Sequence, residues 1–260
     1  MIEERKQKEA ELHDKLRDEK LKENLVGYQY LTSNKKFYSI TRGSIKFLNN
    51  YIINKYKGKR VLDYCCGNGG VAISLAKKGI EMVGIDISDV SIQNSKNLAQ
   101  NEGVEDRVSF FTMDAEKTSF DDNYFDGVIC SGVLHHLKIE KAFKEMARIL
   151  KPEGSIICIE PLAYNPIFQL YRKLTPHLRT EWEMEHILTK KDINLAKNYF
   201  EKIETKFFHL FTLLAVPFRN FSFFNFILGA LEKIDSIILK LPGLKWLAWQ
   251  VVFTLSKPKK

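Results

Sequence analysis

The chain has 260 residues, of which 45% are hydrophobic and 28% charged, and its formal net charge is +8. These values are ordinary for one large globular domain, or for a core with a small cap, and a chain this long needs no disulfide staples. The charged N-terminus has no signal-peptide apolar segment, and no uninterrupted apolar run approaches the roughly 20 residues of a membrane span. A soluble, cytoplasmic protein is therefore expected.

The first 56 residues predict a helical cap. Residues 3–24 mix acids and bases around a narrow stripe of leucines, which indicates a surface helix. Residues 27–56 are more apolar and aromatic, and they predict a second helical region. Tyr30 and Tyr38 in this region could close over a ligand, although packing within the cap is an equally good interpretation.

Residues 57–260 predict a single domain in which strands and helices alternate, which is typical of a doubly wound, mostly parallel α/β sheet. The predicted strands cover residues 59–64, 80–85, 108–113, 124–130 and 155–160, and the helices cover residues 71–78, 88–101 and 139–150. Ser88 is suited to cap the second helix, and Gly103 to close it. After residue 160 the chain predicts helical insertions at 161–200 and 211–244, and further strands at 200–210 and 246–256.

The four cysteines predict buried, reduced thiols. None has zinc-ligand spacing, and all lie in or beside apolar runs: Cys65, Cys66, Cys130 and Cys158. The adjacent histidines, His135 and His136, also invite a metal hypothesis, but the acidic residues stand far from them in sequence. We therefore predict no metal site.

A Gly-rich turn follows the first predicted strand, in the segment from Val61 to Gly70. Glycines at such a turn let a ligand approach the backbone closely, and the N–H groups of the next helix face that ligand. Asp63 stands just before the turn, where its carboxylate could bind an ammonium group. The alternative interpretation of Asp63 is a helix cap.

Carboxylates also end the next two predicted strands. Asp86 follows Asp63 by 23 residues, a position that suits the two hydroxyls of a ribose. Asp114 ends the third strand, where its carboxylate can accept an adenine amino proton. One or two of these aspartates could merely form turns. Three aspartates at the ends of three successive strands, however, predict one ligand site at the carboxyl edge of the sheet.

Together these segments resemble the successive motifs of class I S-adenosylmethionine-dependent methyltransferases over residues 59–161. The matching segments are VLDYCCGNGG, VGIDIS, FFTMDAE, FDGVICSGVLHHL and LKPEG. The resemblance implies a Rossmann-like, seven-stranded sheet whose last strand is antiparallel, and it implies S-adenosylmethionine as the cofactor. A nicotinamide oxidoreductase on a similar fold is the less favoured alternative, because Cys65 and Asp63 do not suit it.

The resemblance also implies roles for individual residues. It places the methionine part of the cofactor at the Gly-rich turn, the ribose at Asp86, and the adenine at Asp114 and Ala115. The predicted cofactor-binding residues are Asp63, Cys65, Gly67, Asn68, Gly69, Asp86, Ile87, Asp114, Ala115, Ser131, Gly132 and Val133. The last three would line the wall near the sulfonium. Cys65 stands where the family usually has glycine, although a small side chain still fits there.

Methyl transfer requires an aligned acceptor and, for a hydroxyl acceptor, a group that removes its proton. The predicted catalytic residues are His135, His136 and Glu160. We expect one histidine to face the pocket and its neighbour to pack or bind backbone, and a structural role is an equally good interpretation of each. Glu160 could orient a substrate or a histidine, or could be a solvated strand end.

The acceptor is expected to be a small molecule or a lipid- or glycan-linked compound, methylated at oxygen. The chain lacks the Asn/Asp-Pro-Pro-aromatic signature, the Pro-Cys nucleophile and the aromatic-interleaved basic groove of nucleic-acid enzymes. The inserted cluster of His177, Arg179, Glu183, Glu185 and His186 could bind an anionic acceptor, although a salt-bridged surface is the better interpretation. A cofactor-binding module without turnover, and a nucleic-acid methyltransferase, are the alternatives.

Residues 205–260 are rich in phenylalanine and carry eight lysines and arginines against two acidic residues. A basic, apolar region of this kind indicates contact with an anionic membrane surface or a lipid-linked substrate. An apolar cap packed on the core is the alternative.

Overall fold

A computed structural model describes residues 4–17, 33–178 and 180–260 of the chain. Its strands are β1 (Arg60–Tyr64), β2 (Glu81–Asp86), β3 (Val108–Thr112), β4 (Phe125–Ser131), β5 (Leu150–Pro161), β6 (Phe200–Phe208) and β7 (Gln250–Pro258). They form a seven-stranded sheet in the order β3-β2-β1-β4-β5-β7-β6. Strands β1 to β5 pair in parallel, and β7 runs antiparallel to both β5 and β6. The predicted fold class, with its antiparallel last strand, is confirmed.

The helices are α1 (Glu4–Arg17), α2 (Arg42–Tyr56), α3 (Gly70–Ala76), α4 (Asp89–Asn101), α5 (Ile139–Ile149), α6 (Pro166–Leu174), α7 (Glu181–Glu185), α8 (Lys190–Leu195) and α9 (Phe224–Ile238). Short 3₁₀ segments cover Ser33–Ile40, Leu134–His136, Pro176–Leu178, Ala196–Asn198, Thr212–Phe218 and Leu244–Leu247. The Ser88 hydroxyl accepts a hydrogen bond from the Ser91 N–H and so begins α4, as the sequence predicted. Among the described helices, none combines the length and the apolar character needed to span a bilayer.

Both faces of the sheet are covered, which is why its central strands are apolar on both sides. Helix α2 buries Leu48, Ile52 and Tyr56 on one face, and α5 packs against the other. The Tyr56 hydroxyl donates a hydrogen bond to the Ser155 carbonyl at 2.7 Å. Its ring lies over Gly127, where an added Cβ would stand 2.6 Å from the ring. The second half of the predicted cap is thus tied to the sheet, and the division at residue 56 stays a prediction.

Two strand boundaries differ from the predicted ones by more than two residues. Strand β5 begins at Leu150, because the segment expected to end a helix continues in an extended form and pairs with β4 across a register shift. Strand β7 begins at Gln250, because a 3₁₀ turn at Leu244–Leu247 occupies the first predicted positions. Tyr30, Arg179 and the side chain of His177 lie outside the described residues.

Candidate active site

The parallel strands end together at one edge of the sheet, and this edge collects the motif residues. Tyr64, near the end of β1, pairs with Ile85 on one side and Cys130 on the other. The Gly-rich turn after β1 therefore lies beside Asp86 at the end of β2 and Ser131 at the end of β4. Open α/β sheets bind ligands in the crevice at this edge.

The Gly-rich turn holds three residues in the left-handed region of backbone conformation. Their φ angles are 60° at Cys65, 57° at Gly67 and 73° at Gly69. Glycine adopts such angles without steric cost, which explains why motifs of this kind usually have glycine at the position of Cys65, where a cysteine backbone is strained. The Gly67 N–H donates a hydrogen bond to Asp86 Oδ2 at 2.8 Å and fixes the turn against β2.

Asp63 is a buried carboxylate with an unused oxygen. Its Oδ2 has no hydrogen-bond partner among the described residues. Burial raises the pKa of Asp63 to about 7, and a backbone hydrogen bond from Ala72 only partly opposes that effect. A buried carboxylate of this kind is stabilised in its ionised form by a cationic partner, so it fits the ammonium group of an amino-acid ligand.

The other two carboxylates are held by backbone N–H groups. Asp86 Oδ1 accepts from Ser88 at 3.0 Å, and its second oxygen is the one bound by Gly67. Asp114 Oδ1 accepts from the Glu116 N–H at 2.9 Å. Its second oxygen accepts from Lys6 Nζ of α1 at 2.7 Å, so the first helix reaches this edge of the sheet.

A cavity of about 280 Å³ lies at this edge. It is lined by nine of the predicted cofactor-binding residues: Cys65, Gly67, Asp86, Ile87, Asp114, Ala115, Ser131, Gly132 and Val133. Asp63, Asn68 and Gly69 are not in its lining. Asn68 is exposed, and Gly69 packs so closely beneath Phe110 that an added Cβ would stand 2.7 Å from its ring.

Helix α1 supplies lining residues that the sequence analysis did not identify. Arg5, Lys6, Glu9 and His13 all border the 280 Å³ cavity. The guanidinium of Arg5 forms an ion pair with Glu116, and it also donates a hydrogen bond to the His136 carbonyl. The charged pattern of residues 3–24 indicated a surface helix and gave no sign of what it covers.

A second cavity, of about 310 Å³, adjoins the first. The two share four lining residues: His13, Ser131, Gly132 and His136. Aromatic side chains form much of the second cavity, namely Phe37, Tyr38, Phe168 and Trp249. His135 also lines it, so the ends of the strands open towards an aromatic space that contains an imidazole.

Both predicted histidines line this second cavity, whereas the sequence led us to expect that one would face it and the other would pack or bind backbone. They follow each other in the 3₁₀ turn Leu134–His136, and their ring centroids lie 4.2 Å apart. Different carboxylates hold the two rings on the same side of the turn, which is the physical reason for the shared orientation.

His135 is oriented by Glu160. Its Nδ1 lies 3.0 Å from Glu160 Oε2, and Glu160 Oε1 accepts hydrogen bonds from the backbone N–H groups of Val133 and Leu134 at 2.7 and 2.9 Å. Glu160 is fully buried, which contradicts the alternative of a solvated strand end. Because an ionised carboxylate only accepts, this contact fits a proton on Nδ1 of His135, and in the neutral ring Nε2 would then carry the lone pair.

His136 is held by two carboxylates rather than one. Its Nδ1 lies 2.9 Å from Glu9 Oε2 and 2.8 Å from Glu183 Oε1. Burial alone would lower the pKa of His136, but the hydrogen bonds to Glu183 and Glu9 outweigh it and raise the pKa well above its usual value. The same pairing lowers the pKa of Glu183 against the effect of its burial.

The predicted cluster in the insertion separates into parts with different surroundings. Glu183 faces His136, whereas His186 is exposed and stacks on Trp182 with ring centroids 3.5 Å apart. Glu185 lines a different cavity, beside His186 and Trp182. Within the described residues, the cluster therefore does not form a single acceptor site.

Comparison with known proteins agrees with this architecture. A family model described as a methyltransferase domain matches residues 62–158. Norajmaline N-methyltransferase from Rauvolfia serpentina is 32% identical over 45% of this chain and 40% of its own length. The ubiquinone/menaquinone biosynthesis C-methyltransferase UbiE from Rickettsia prowazekii is 34% identical over 38% of this chain and 43% of its own length. The chain thus spans less than half the length of these curated relatives.

Solved structures show the same fold. The PH0226 protein from Pyrococcus horikoshii OT3 superposes with a TM-score of 0.56 at 24% identity, covering 84% of this chain and 91% of its own. Geranyl diphosphate C-methyltransferase from Streptomyces coelicolor A3(2) superposes with a TM-score of 0.58 at 16% identity, covering 82% of this chain and 77% of its own. Residues 62–158 therefore match a methyltransferase domain, and the chain has the fold of these solved structures.

Proposed function

We propose that the protein transfers a methyl group from S-adenosylmethionine to an oxygen of a small, largely apolar acceptor. The observation that carries this proposal is the pair of adjoining cavities, which meet at Ser131 and Gly132. One contains the residues of the cofactor motifs, and the other contains an oriented imidazole. When bound, the cofactor supplies an electrophilic methyl group on a sulfonium.

The residues of the first cavity, together with Asp63 just before the Gly-rich turn, fit this cofactor. The unused oxygen of Asp63 suits its ammonium group, Asp86 suits the ribose hydroxyls, and Asp114 with Ala115 suits the adenine. A wider groove of about 1300 Å³ lies beyond Asp114. It does not include the Gly-rich turn, so we place the cofactor in the smaller cavity.

His135 is the residue we assign to proton removal. Glu160 fixes the proton of His135 on Nδ1, so the lone pair on Nε2 is the one available to an acceptor hydroxyl. His136 suits this role less well, because two carboxylates already engage its Nδ1. Relatives carry the names of N- and C-methyltransferases, so the choice of oxygen rests on the His135–Glu160 pair.

The second cavity supports an acceptor with a flat or apolar body. Its aromatic wall offers stacking and apolar contact, and among its polar side chains His135 is the one that we assign to a reacting hydroxyl. The lipid or glycan part of a linked acceptor would have to extend out of this cavity through its open side. Such an acceptor is the second form of the proposal.

The Phe-rich C-terminal region supports a further part of the proposal, contact with an anionic membrane surface. Part of the region is core, since Leu213, Val216 and Leu228 are buried. Another part is not, and Phe226 is 82% exposed. Its exposed apolar neighbours are Leu214, Phe218, Phe221, Phe223, Ile234, Ile237, Leu241 and Leu244.

Helix α9 of this region also helps to form a cavity that basic side chains line. This cavity of about 800 Å³ lies between α2, β6 and α9, and its basic residues are Arg42, Lys46, Lys206, Lys240 and Lys245. Apolar side chains beside cations are what an anionic bilayer surface attracts. A membrane contact here would also bring a lipid-linked acceptor close to the protein.

Methylation of a cell extract with isotope-labelled S-adenosylmethionine tests the central part of the proposal. We expect the wild-type protein to label a small, organic-soluble product, and a His135→Gln variant that still binds the cofactor to label none. Cofactor binding without any labelled product, at several extract concentrations, would instead support a binding module.

A further inference from the structure

Four side chains from three separate segments meet where helix α1 crosses the two cavities. Glu9 and His13 lie one helical turn apart on α1, His136 ends the 3₁₀ turn after β4, and Glu183 lies in α7. One nitrogen or oxygen of each residue lies within 4.8 Å of those of the other three. The proposed methyl transfer uses none of Glu9, His13 and Glu183.

At the centre of this cluster, two carboxylate oxygens lie close to a single imidazole nitrogen, which can offer only one proton. Glu9 Oε2 and Glu183 Oε1 lie 2.9 and 2.8 Å from one nitrogen, Nδ1 of His136. A ring nitrogen carries at most one proton, so it can donate a well-aligned hydrogen bond to only one of the two carboxylates. His13 Nε2 lies 3.8 Å from the same Glu9 oxygen, which adds a second imidazole nitrogen to the group.

Thr180 fixes the direction of both carboxylates. Its hydroxyl donates a hydrogen bond to Glu9 Oε1, and its backbone N–H donates to Glu183 Oε2 at 3.2 Å. The outer oxygen of each carboxylate is therefore held by Thr180, and the inner oxygens turn towards His136. Metal sites in proteins orient their carboxylate ligands by outer hydrogen bonds of this kind.

Burial and charge favour a cation at the same point. The exposed fractions of the four side chains range from 6% for Glu9 to 24% for His13. Two carboxylates with so little access to solvent need positive charge nearby, and a dication would balance both. Imidazole nitrogens with carboxylate oxygens are a ligand set that Zn²⁺ and related transition metals accept.

We propose that Glu9, His13, His136 and Glu183 bind a divalent transition-metal ion of the Zn²⁺ type. Four protein ligands leave no open coordination position at a tetrahedral ion, so the site is structural rather than catalytic. The ion would tie α1 to the rim of the cleft and hold Arg5 and Lys6 over the cofactor cavity. This inference does not depend on the proposed methyl transfer.

The test is a direct measurement of bound metal on the full chain. Protein stripped with a chelator is dialysed against micromolar Zn²⁺, and metal content is determined by elemental analysis. We expect about one Zn²⁺ per wild-type chain, and at least about tenfold weaker binding in Glu9→Gln and in His13→Asn, because each variant removes a ligand. Circular dichroism establishes that each variant is folded.

Two matched variants control for charge and composition. Glu11→Gln changes an exposed carboxylate on the same helix, and His186→Asn changes an exposed histidine that follows α7. Both are expected to bind Zn²⁺ as the wild type does. Glu11 and His186 are not members of the four-residue cluster, so loss of binding in these controls would contradict the assignment.

Hydrogen exchange provides a second measurement that needs no variant. Zn²⁺ should slow amide exchange in residues 4–17 of the wild-type chain, because the ion would tie α1 to the rest of the domain. A folded wild type that takes up no Zn²⁺ would overturn the proposal. Zn²⁺ binding by Glu9→Gln and His13→Asn that equals the binding of the wild type would also overturn it. Cofactor affinity, measured by calorimetry on the same samples, separates that result from a failure of the proposed function.

Discussion

The two halves of the cleft are built in different ways. The cofactor half is formed by consecutive strand ends, and backbone N–H groups hold its carboxylates, as Gly67 and Ser88 hold Asp86. The proposed acceptor half is the cavity of about 310 Å³, and side-chain pairs hold its histidines, as Glu160 holds His135. In the first half, backbone N–H groups orient the carboxylates that would bind a ligand. In the second half, a carboxylate determines which nitrogen of a histidine carries the proton. Substitutions in the two halves should therefore have separable effects.

The largest effect is expected in the acceptor half. His135→Gln should lower kcat about 10²–10⁴-fold, the usual contribution of a general base, and should leave cofactor affinity unchanged. Steady-state kinetics on the labelled product, with calorimetry of cofactor binding, measures both quantities. A kcat within about threefold of the wild type would show that His135 does not remove the proton.

Glu160→Gln tests whether activity depends on the hydrogen bond between Glu160 and His135. The amide of glutamine would donate to His135 Nδ1 where the carboxylate now accepts, and this would move the proton of His135 to Nε2. We expect a loss of kcat close to that of His135→Gln, again without a change in cofactor affinity. His186→Asn, at an exposed ring outside both cavities, is the matched control and should retain full activity.

In the cofactor half, Asp63 predicts how affinity depends on pH. Its pKa of about 7 means that the carboxylate is mostly neutral at pH 6 and ionised at pH 8. If Asp63 binds the ammonium group, the association constant should rise by up to about tenfold per pH unit below pH 7 and level off above it. Asp63→Asn should remove this dependence, and a slope that persists in the variant would contradict the role of Asp63.

The same carboxylate has an opposite effect on the stability of the protein without cofactor. The folded-state pKa of Asp63 lies above its unfolded value, so ionisation favours the unfolded chain and stability falls as pH rises from about 4 to about 7. Asp63→Asn should therefore raise the free energy of unfolding at pH 8, by on the order of 2–4 kcal/mol. Urea unfolding at pH 5 and pH 8 measures the difference, and the gain should shrink at the lower pH.

The smallest expected effect lies outside the cleft, at the exposed phenylalanines. A Phe223→Ser/Phe226→Ser variant should bind anionic vesicles about tenfold more weakly than the wild type, because it removes two exposed apolar side chains from the C-terminal region. Phe111→Ser changes a comparably exposed phenylalanine on β3 and should leave vesicle binding unchanged. No flotation of the wild type with anionic vesicles would remove the membrane part of the proposal.

The cofactor half could be predicted from sequence because its residues are consecutive along strands whose pairing is regular. Asp86 and Asp114 each follow an apolar strand, and parallel strands end at one edge, so their approach follows from the fold class. The apolar pattern also predicts Asp63 at the end of β1, but that it is buried and absent from the cavity lining could not be read from the pattern.

The contribution of α1 to the second cavity could not be predicted in the same way, because its contacts join residues more than 100 positions apart. Glu9 lies beside His136 only because α1 crosses the cleft, and nothing in the charge pattern of α1 indicates that crossing. The spacing of Glu9 and His13, one turn apart on a helix, was a signal for a shared ligand. It became informative only once His136 and Glu183 were placed beside them.

Titration of the wild-type chain with S-adenosylmethionine, with NADH titrated in parallel, tests the central claim most directly. The account predicts one molecule of S-adenosylmethionine bound per chain and no binding of NADH, since the buried carboxylate of Asp63 needs an ammonium partner. Absence of S-adenosylmethionine binding at millimolar concentration, or preferential binding of NADH, would contradict it.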